Sequence, residues 1–229
     1  VHAGHSVDFF ADRTVDYLAS RQGEADPFFC FVPFNGPYGH WPAIRGGSQT
    51  RFDEIYRDLP LHSIPREGLN RRVIERYTQR VVEAGGTPHE RFAGPLLLPN
   101  ETMSLRNYFA QTSLIDDAVG RIMTALDENG LAEDTIVIYT ADHGFSLGHH
   151  GIWGHGLAAW PSSMLRPSYH VPLVMAGPGI ATADHDGLVS QIDIPNTLLH
   201  AAGAALIETD RHDSRVIALD DPGRPVRDA

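Results

Sequence analysis

The stretch "TIVIYTADHGFSLGHHGIWGHG", residues 135–156, decides the fold, because a continuous apolar segment runs straight into an Asp-His-Gly triplet. An apolar run of strand length, without polar alternation, is what a strand covered on both faces requires. Asp142 and His143 stand just past the carboxyl end of that run, and His149, His150 and His155 follow within the same stretch. In open α/β sheets ligands bind outside the carboxyl ends of the strands. A carboxylate and an imidazole placed there are candidate ligands for a divalent cation. Gly144 would let the backbone approach the ion or turn sharply away. The competing reading is an Asp N-cap beside a solvated histidine, and "LGHHG" reads by default as a surface turn.

Helix and strand patterns alternate on either side. "HSVDFFADRTVDYLASRQ" carries Val7, Phe10, Val15 and Leu18 at near-helical spacing, with Gly23 as a stop signal. Leu105, Tyr108, Phe109, Thr112, Ile115, Val119, Ile122 and Leu126 mark a long amphipathic helix ended by Gly130, and "DIPNTLLHAAGA" reads as a helix with Pro195 in its first turn. "PFFCFVPF" and "HVPLVMAGPG" read as further buried strands. The Gly/Pro-punctuated loop of residues 35–50 comes after the first of them and delivers His40 toward the same sheet edge. This order predicts an α/β fold with a mostly parallel sheet flanked by helices, in a single domain over residues 1–229. Within it, residues 51–100 are the least regular: "RFDEIYRDL" and "GLNRRVIERYTQRVVEA" read as helices, and "GGTPHERFAGPLLLPN" as irregular chain. The tail, residues 208–229, is polar and expected to be loosely ordered.

Composition excludes some partners. The formal net charge is −11, and all 18 basic residues are arginine. Nucleic-acid affinity rests on a surplus of basic side chains, so no nucleic-acid partner is expected. A small anionic substrate stays compatible, since a bound cation reverses the local potential. No apolar run approaches the length of a membrane span. The single cysteine, Cys30, lies in an apolar segment and is expected to be a buried structural thiol. Asp116 and Asp117, inside the long helix, are expected to pair or cap locally.

Taken in order, these segments resemble the sulfatase family of the alkaline phosphatase superfamily. The resemblance rests on "FFCFVPFNGPYGHWP", on "YFAQTSLIDDAVGRIMTALDENGLAEDTIVIYTADHGFSLGHHGIWGHG", and on "LRPSYHVPLVMAGPG" followed by "LVSQIDIPNTLLHAAGA". The second block is the most specific, and the likeness covers most of residues 5–205; residues 51–100 match weakly, as a variable, insertion-like region would.

The resemblance implies a partial alkaline-phosphatase-like sulfatase domain that hydrolyses sulfate esters of small molecules or carbohydrates with metal assistance. It implies that Asp142 and His143 are metal ligands, and that His40 touches the ester oxygens or protonates the leaving group. His155 falls where the family commonly has a lysine bound to the sulfate group. The cation it implies is calcium, with manganese or zinc as alternatives because His143 stands where asparagine is common. Phosphodiester or phosphonate monoester hydrolysis is the runner-up on the same ground. The family's nucleophile is a formylglycine within C/S-x-P-x-R, and the 229 residues hold no such motif. Cys30 continues "CFVPF" and Ser63 begins "SIPRE", neither in register. The chain thus resembles the C-terminal part of the catalytic domain, needing an N-terminal part for completion and inactive alone. A metal-binding pseudoenzyme fragment is the remaining alternative.

Overall fold

The computed structural model describes residues 5–37, 50–62, 72, 75–76, 79, 82–83, 85, 102–147, 149, 153–155, 165–208 and 213–227. The expected second helix of the middle region, "GLNRRVIERYTQRVVEA", and the loop bearing His40 lie largely outside these residues. The chain groups into two compact units, residues 1–132 with 139–174, and residues 133–138 with 175–229.

The first unit is built on two helices, α1 (Ser6–Ser20) and α3 (Thr102–Glu128), with the short α2 (Asp53–Tyr56) against α3. His5 caps α1, its Nδ1 accepting the Val7 N–H at 3.2 Å. Gly23 and Gly130 come after the two long helices with φ of 76° and 69°, left-handed conformations in which glycine meets no Cβ penalty. At the end of α3 the Leu131 N–H reaches back to the Leu126 carbonyl at 2.9 Å, satisfying a terminal acceptor.

The buried stripe of α1 is Val7, Ala11, Thr14 and Leu18, whereas the apolar spacing favoured Phe10 and Val15. Those two sit half-buried at the flanks. The reason lies across the interface: Ala110 and Ala118 are fully buried on α3, and Val7 and Ala11 pack with Leu114, Ile115 and Ala118. Small residues at the crossing let the helices approach closely, so the alanines are enclosed. Thr14 returns its hydroxyl to the Phe10 carbonyl at 2.8 Å, which satisfies its donor inside the contact.

Charges rim this contact. Arg51 bonds to Asp8 at 3.0 Å and to Asp117, while Arg121 bonds to Asp12 and lies 3.5 Å from Asp8. Asp117 therefore pairs structurally. These are surface-side pairs, individually worth a few tenths of a kcal/mol to about 1 kcal/mol. Arg51→Ala, which removes two of them, should lower stability by about 1 kcal/mol in urea denaturation and lose most of that effect in high salt.

Strand β1 (Val137–Thr140) pairs with β4 (Leu173–Ala176), and β2 (Ser146–Leu147) pairs antiparallel with β3 (Trp153–Gly154). The described residues thus form two two-stranded ladders and not the mostly parallel sheet expected. β1 and β4 are only partly covered, with Val174 58 % exposed, so neither is the doubly buried strand its apolar sequence suggests. "PFFCFVPF" forms no strand: residues 27–36 lie outside regular elements, and Phe29 and Phe31 are 74 % and 77 % exposed. Apolarity at every position does not make a strand without a ladder to join. Cys30 is exposed, not buried.

In the second unit α5 (Asp193–Ala201) organises the chain that comes after it. Its buried face is polar: Asp193, Asn196 and Thr197. Asp193 accepts from the Ser190 and Arg215 N–H groups at 2.9 and 2.8 Å and takes a two-pronged bond from Arg227. Thr197 Oγ1 accepts the Ile217 N–H at 3.0 Å, and Asn196 Oδ1 accepts the Ile207 N–H at 2.8 Å. Ile217 and Val226 are buried, and Leu188 bridges to Arg227. Residues 213–227 are therefore anchored, against the expectation of a loose tail, because the helix offers side-chain partners for their backbone.

Candidate functional site

Beyond Thr140 the chain leaves β1 through Ala141 into Asp142, His143 and Gly144. The Asp142 carboxylate accepts the His143 N–H at 2.9 Å through Oδ1, which folds it back over its own backbone. Its side chain is 89 % exposed, so it faces solvent where a cation could reach it. The His143 Nδ1 lies 2.9 Å from the Gly144 carbonyl oxygen. A carbonyl only accepts, so Nδ1 carries the proton and Nε2 the lone pair. That Nε2 lies 3.6 Å from Asp142 Oδ2.

Gly144 is fixed from the other side. Its N–H donates to the Ser168 carbonyl at 2.9 Å, in the short helix α4 (Arg166–Tyr169). A Cβ at this position would collide with the Pro167 carbonyl oxygen and lie 2.9 Å from the Pro167 carbonyl carbon. Glycine is demanded here by close approach of backbone to backbone. Ser146 and Ser168, both buried, bring their hydroxyls to 3.5 Å beside this contact.

The ladder of β2 and β3 explains why an imidazole thirteen residues past the aspartate returns to it. Ser146 pairs with Gly154 and Leu147 with Trp153. Carried one residue further, that register sets Phe145 opposite His155. The observed ring centroids are 6.0 Å apart, and the His155 ring stacks on His143 at 3.7 Å and 17°. His143 and Phe145 are two apart along the chain, so they occupy one face, and His155 lies against both. Burial pushes the His155 imidazole below its ordinary pKa, the neighbouring His143 adds to this, and Asp142 opposes it.

The structure thus brings Asp142, His143 and His155 together. His149 belongs to the turn, where its Nδ1 accepts the Leu147 N–H at 3.3 Å. His40, His150 and Ser63 lie outside the described residues. The Cys30 thiol is pushed up by desolvation, which disfavours the thiolate a nucleophile needs. Among the described residues no group of three or more His, Cys, Asp or Glu is arranged to hold a metal ion. The donors of Asp142 and His143 suit a cation with mixed oxygen and nitrogen preference, as part of a larger set. Sequence reading missed Phe145 and the Pro167–Ser168 backbone; the only signal for Phe145 was its position mirroring His155 about the turn.

Comparison with known proteins places this geometry. The sulfatase family profile matches residues 2–204. The chain is 29 % identical over 206 residues to a choline-sulfatase of Rhizobium meliloti, covering 88 % of this chain and 37 % of that protein. It is 38 % identical over 181 residues to human iduronate 2-sulfatase, covering 73 % of this chain and 30 % of the relative. Among solved structures, the phosphonate monoester hydrolase of Silicibacter pomeroyi superposes with a TM-score of 0.66 at 20 % identity, over 94 % of this chain and 41 % of that one. The chain belongs to the sulfatase family, and its fold is that of the sulfatase and alkaline-phosphatase-like hydrolases. It spans about two fifths or less of the length of these relatives.

Proposed function

We propose that this chain supplies the Asp-His half of a metal-assisted sulfate ester hydrolase site. The observation that carries the reading is the convergence of Asp142 Oδ2 and His143 Nε2, 3.6 Å apart at the end of β1, with His155 stacked alongside. Asp142 and His143 would hold a divalent cation: calcium on the family resemblance, manganese or zinc on the imidazole donor. Once bound, such a cation would polarise the ester and stabilise its developing negative charge. His155 offers a hydrogen bond to an anionic ester oxygen in place of the family's lysine, and His40 contacts the ester oxygens or protonates the leaving group. The substrate is a sulfate ester of a small molecule or carbohydrate, in keeping with the choline and iduronate relatives.

A second reading, phosphodiester or phosphonate monoester hydrolysis, draws on His143 and on the fold likeness to the phosphonate hydrolase. An inactive metal-binding fragment is the third, favoured by the lack of C/S-x-P-x-R in these 229 residues. In the leading reading an N-terminal part completes the domain. It adds the nucleophile and strands that extend β1 and β4 into a mostly parallel sheet, covering Phe29, Phe31 and Val174.

Two outcomes are expected of the isolated chain. It should hydrolyse neither an aryl sulfate nor an aryl phosphodiester above background, because no activated nucleophile is present to start the covalent step. It should also associate on size-exclusion chromatography in proportion to concentration, because large apolar side chains stand exposed. The discriminating experiment is to read and express the coding sequence in frame upstream. A C/S-x-P-x-R segment there, with aryl sulfate turnover by the longer chain, is the expected result. Preference for phosphonate monoesters would favour the second reading, and absence of the motif the third.

A further inference from the structure

We propose that Phe145 is a positioning residue that holds the His155 imidazole against His143. The inference rests on the reading of Asp142, His143 and His155 as one site, and it concerns how that site is kept in shape.

Three observations carry it. First, the β2–β3 register extended by one residue makes Phe145 and His155 a directly opposed pair, whose side chains meet on the same face of the ladder. His155 therefore has one ring of His143 stacked on it and the ring of Phe145 tilted at 50° beside it. Second, the ladder supporting His155 is only two residues long in each strand, too short to fix a side chain by backbone pairing alone. Third, Phe145 is itself held from below. Its ring lies 5.7 Å from Tyr108, which meets Phe109 edge-on at 6.4 Å, and Phe109 stacks on Tyr56 at 5.7 Å. The Tyr56 hydroxyl in turn bonds Ser113 at 2.7 Å. Phe145 packs against the buried cluster of Leu61, Leu105 and Leu147. A rigid aromatic column thus rises from α2 and α3, and its top ring abuts His155.

The role is distinct from ligation. Phe145 touches neither a reacting atom nor a cation; it restricts where the His155 ring can go. Removing the ring while keeping apolar bulk should free that imidazole without dismantling the column.

The test is proton and carbon NMR of the whole 229-residue chain with labelled histidine, in the native protein and in Phe145→Leu, Phe145→Ala and Phe145→Tyr. The native chain should show ring-to-ring cross-peaks between His143 and His155. Phe145→Leu, which retains packing volume, should lose them and shift the His155 ring resonances, while methyl signals of Val7 and Leu114 stay in place as the report on folding. Phe145→Tyr should restore the native pattern. Retention of the His143–His155 cross-peaks in Phe145→Leu, or in a folded Phe145→Ala, would overturn the proposal. Titration with Mn²⁺ separates this from the functional reading. If Mn²⁺ broadens no His143 signal, the metal role falls while the positioning result stands or falls on the cross-peaks alone.

Discussion

Asp193→Ala is expected to destabilise the unit built on α5 by about 3–5 kcal/mol, the range for breaking a buried, hydrogen-bonded ion pair from one side. Asp193 is completely enclosed, and its carboxylate ends four separate bonds, two from Arg227 and one each from the Ser190 and Arg215 N–H groups. Alanine leaves those donors without their acceptor and the Arg227 guanidinium, mostly buried, without its anion. Urea denaturation should show the loss, and amide exchange should show it concentrated at Arg215 and Ile217. The pH dependence has a definite sign. Burial alone would raise the Asp193 pKa, but the Arg227 hydrogen bond and the two N–H groups outweigh it and hold the carboxyl below the usual range. A group depressed in the folded state contributes its stability in full above its unfolded pKa of about 3.9 and loses it as pH falls through the lower folded value. The native chain should therefore lose stability below about pH 4, and Asp193→Asn should lack that part of the acid limb.

Gly144→Ala is the second large effect, and it falls on the site. The added Cβ has nowhere to go, because the Pro167 carbonyl oxygen occupies its place. Either α4 moves away, breaking the Gly144–Ser168 bond, or the Asp-His-Gly backbone rotates and carries the Gly144 carbonyl off His143 Nδ1. In the second case the imidazole loses the contact that selects its tautomer. Loss of such an outer partner costs about 10- to 100-fold in metal affinity, and relieving the overlap costs about 1–3 kcal/mol in stability. Mn²⁺ titration and thermal denaturation of the same variant read the two consequences separately.

How far the sequence was legible depends on the physical property each signal measures. The long helices α1 and α3 were clear because their periodicity runs over many turns and glycines stop both. The stripe that α1 buries was read wrongly at Phe10 and Val15, since hydrophobicity ranks size while a close helix crossing selects Ala11 and Thr14. "PFFCFVPF" misled because apolar composition reports a preference for burial and says nothing of whether a neighbouring strand exists. The polar tail misled in the opposite direction: its backbone is held by Asp193, Asn196 and Thr197, polar residues that turn inward from α5. At the site, Asp142 and His143 could be placed at a strand end from sequence alone. The return of His155 could not, because it depends on the pairing of two-residue strands across a turn, and neither could the Pro167 carbonyl that makes Gly144 obligatory.

The most direct measurement of the central claim is calorimetric titration of the purified chain with Mn²⁺, in the native form and as Asp142→Ala and His143→Ala. The account predicts one weak site per chain, because two protein ligands cannot close a coordination shell, and its loss in both variants while their thermal stability stays within about 0.5 kcal/mol of native. Native-like Mn²⁺ binding by either variant, or no binding by the native chain, would contradict it.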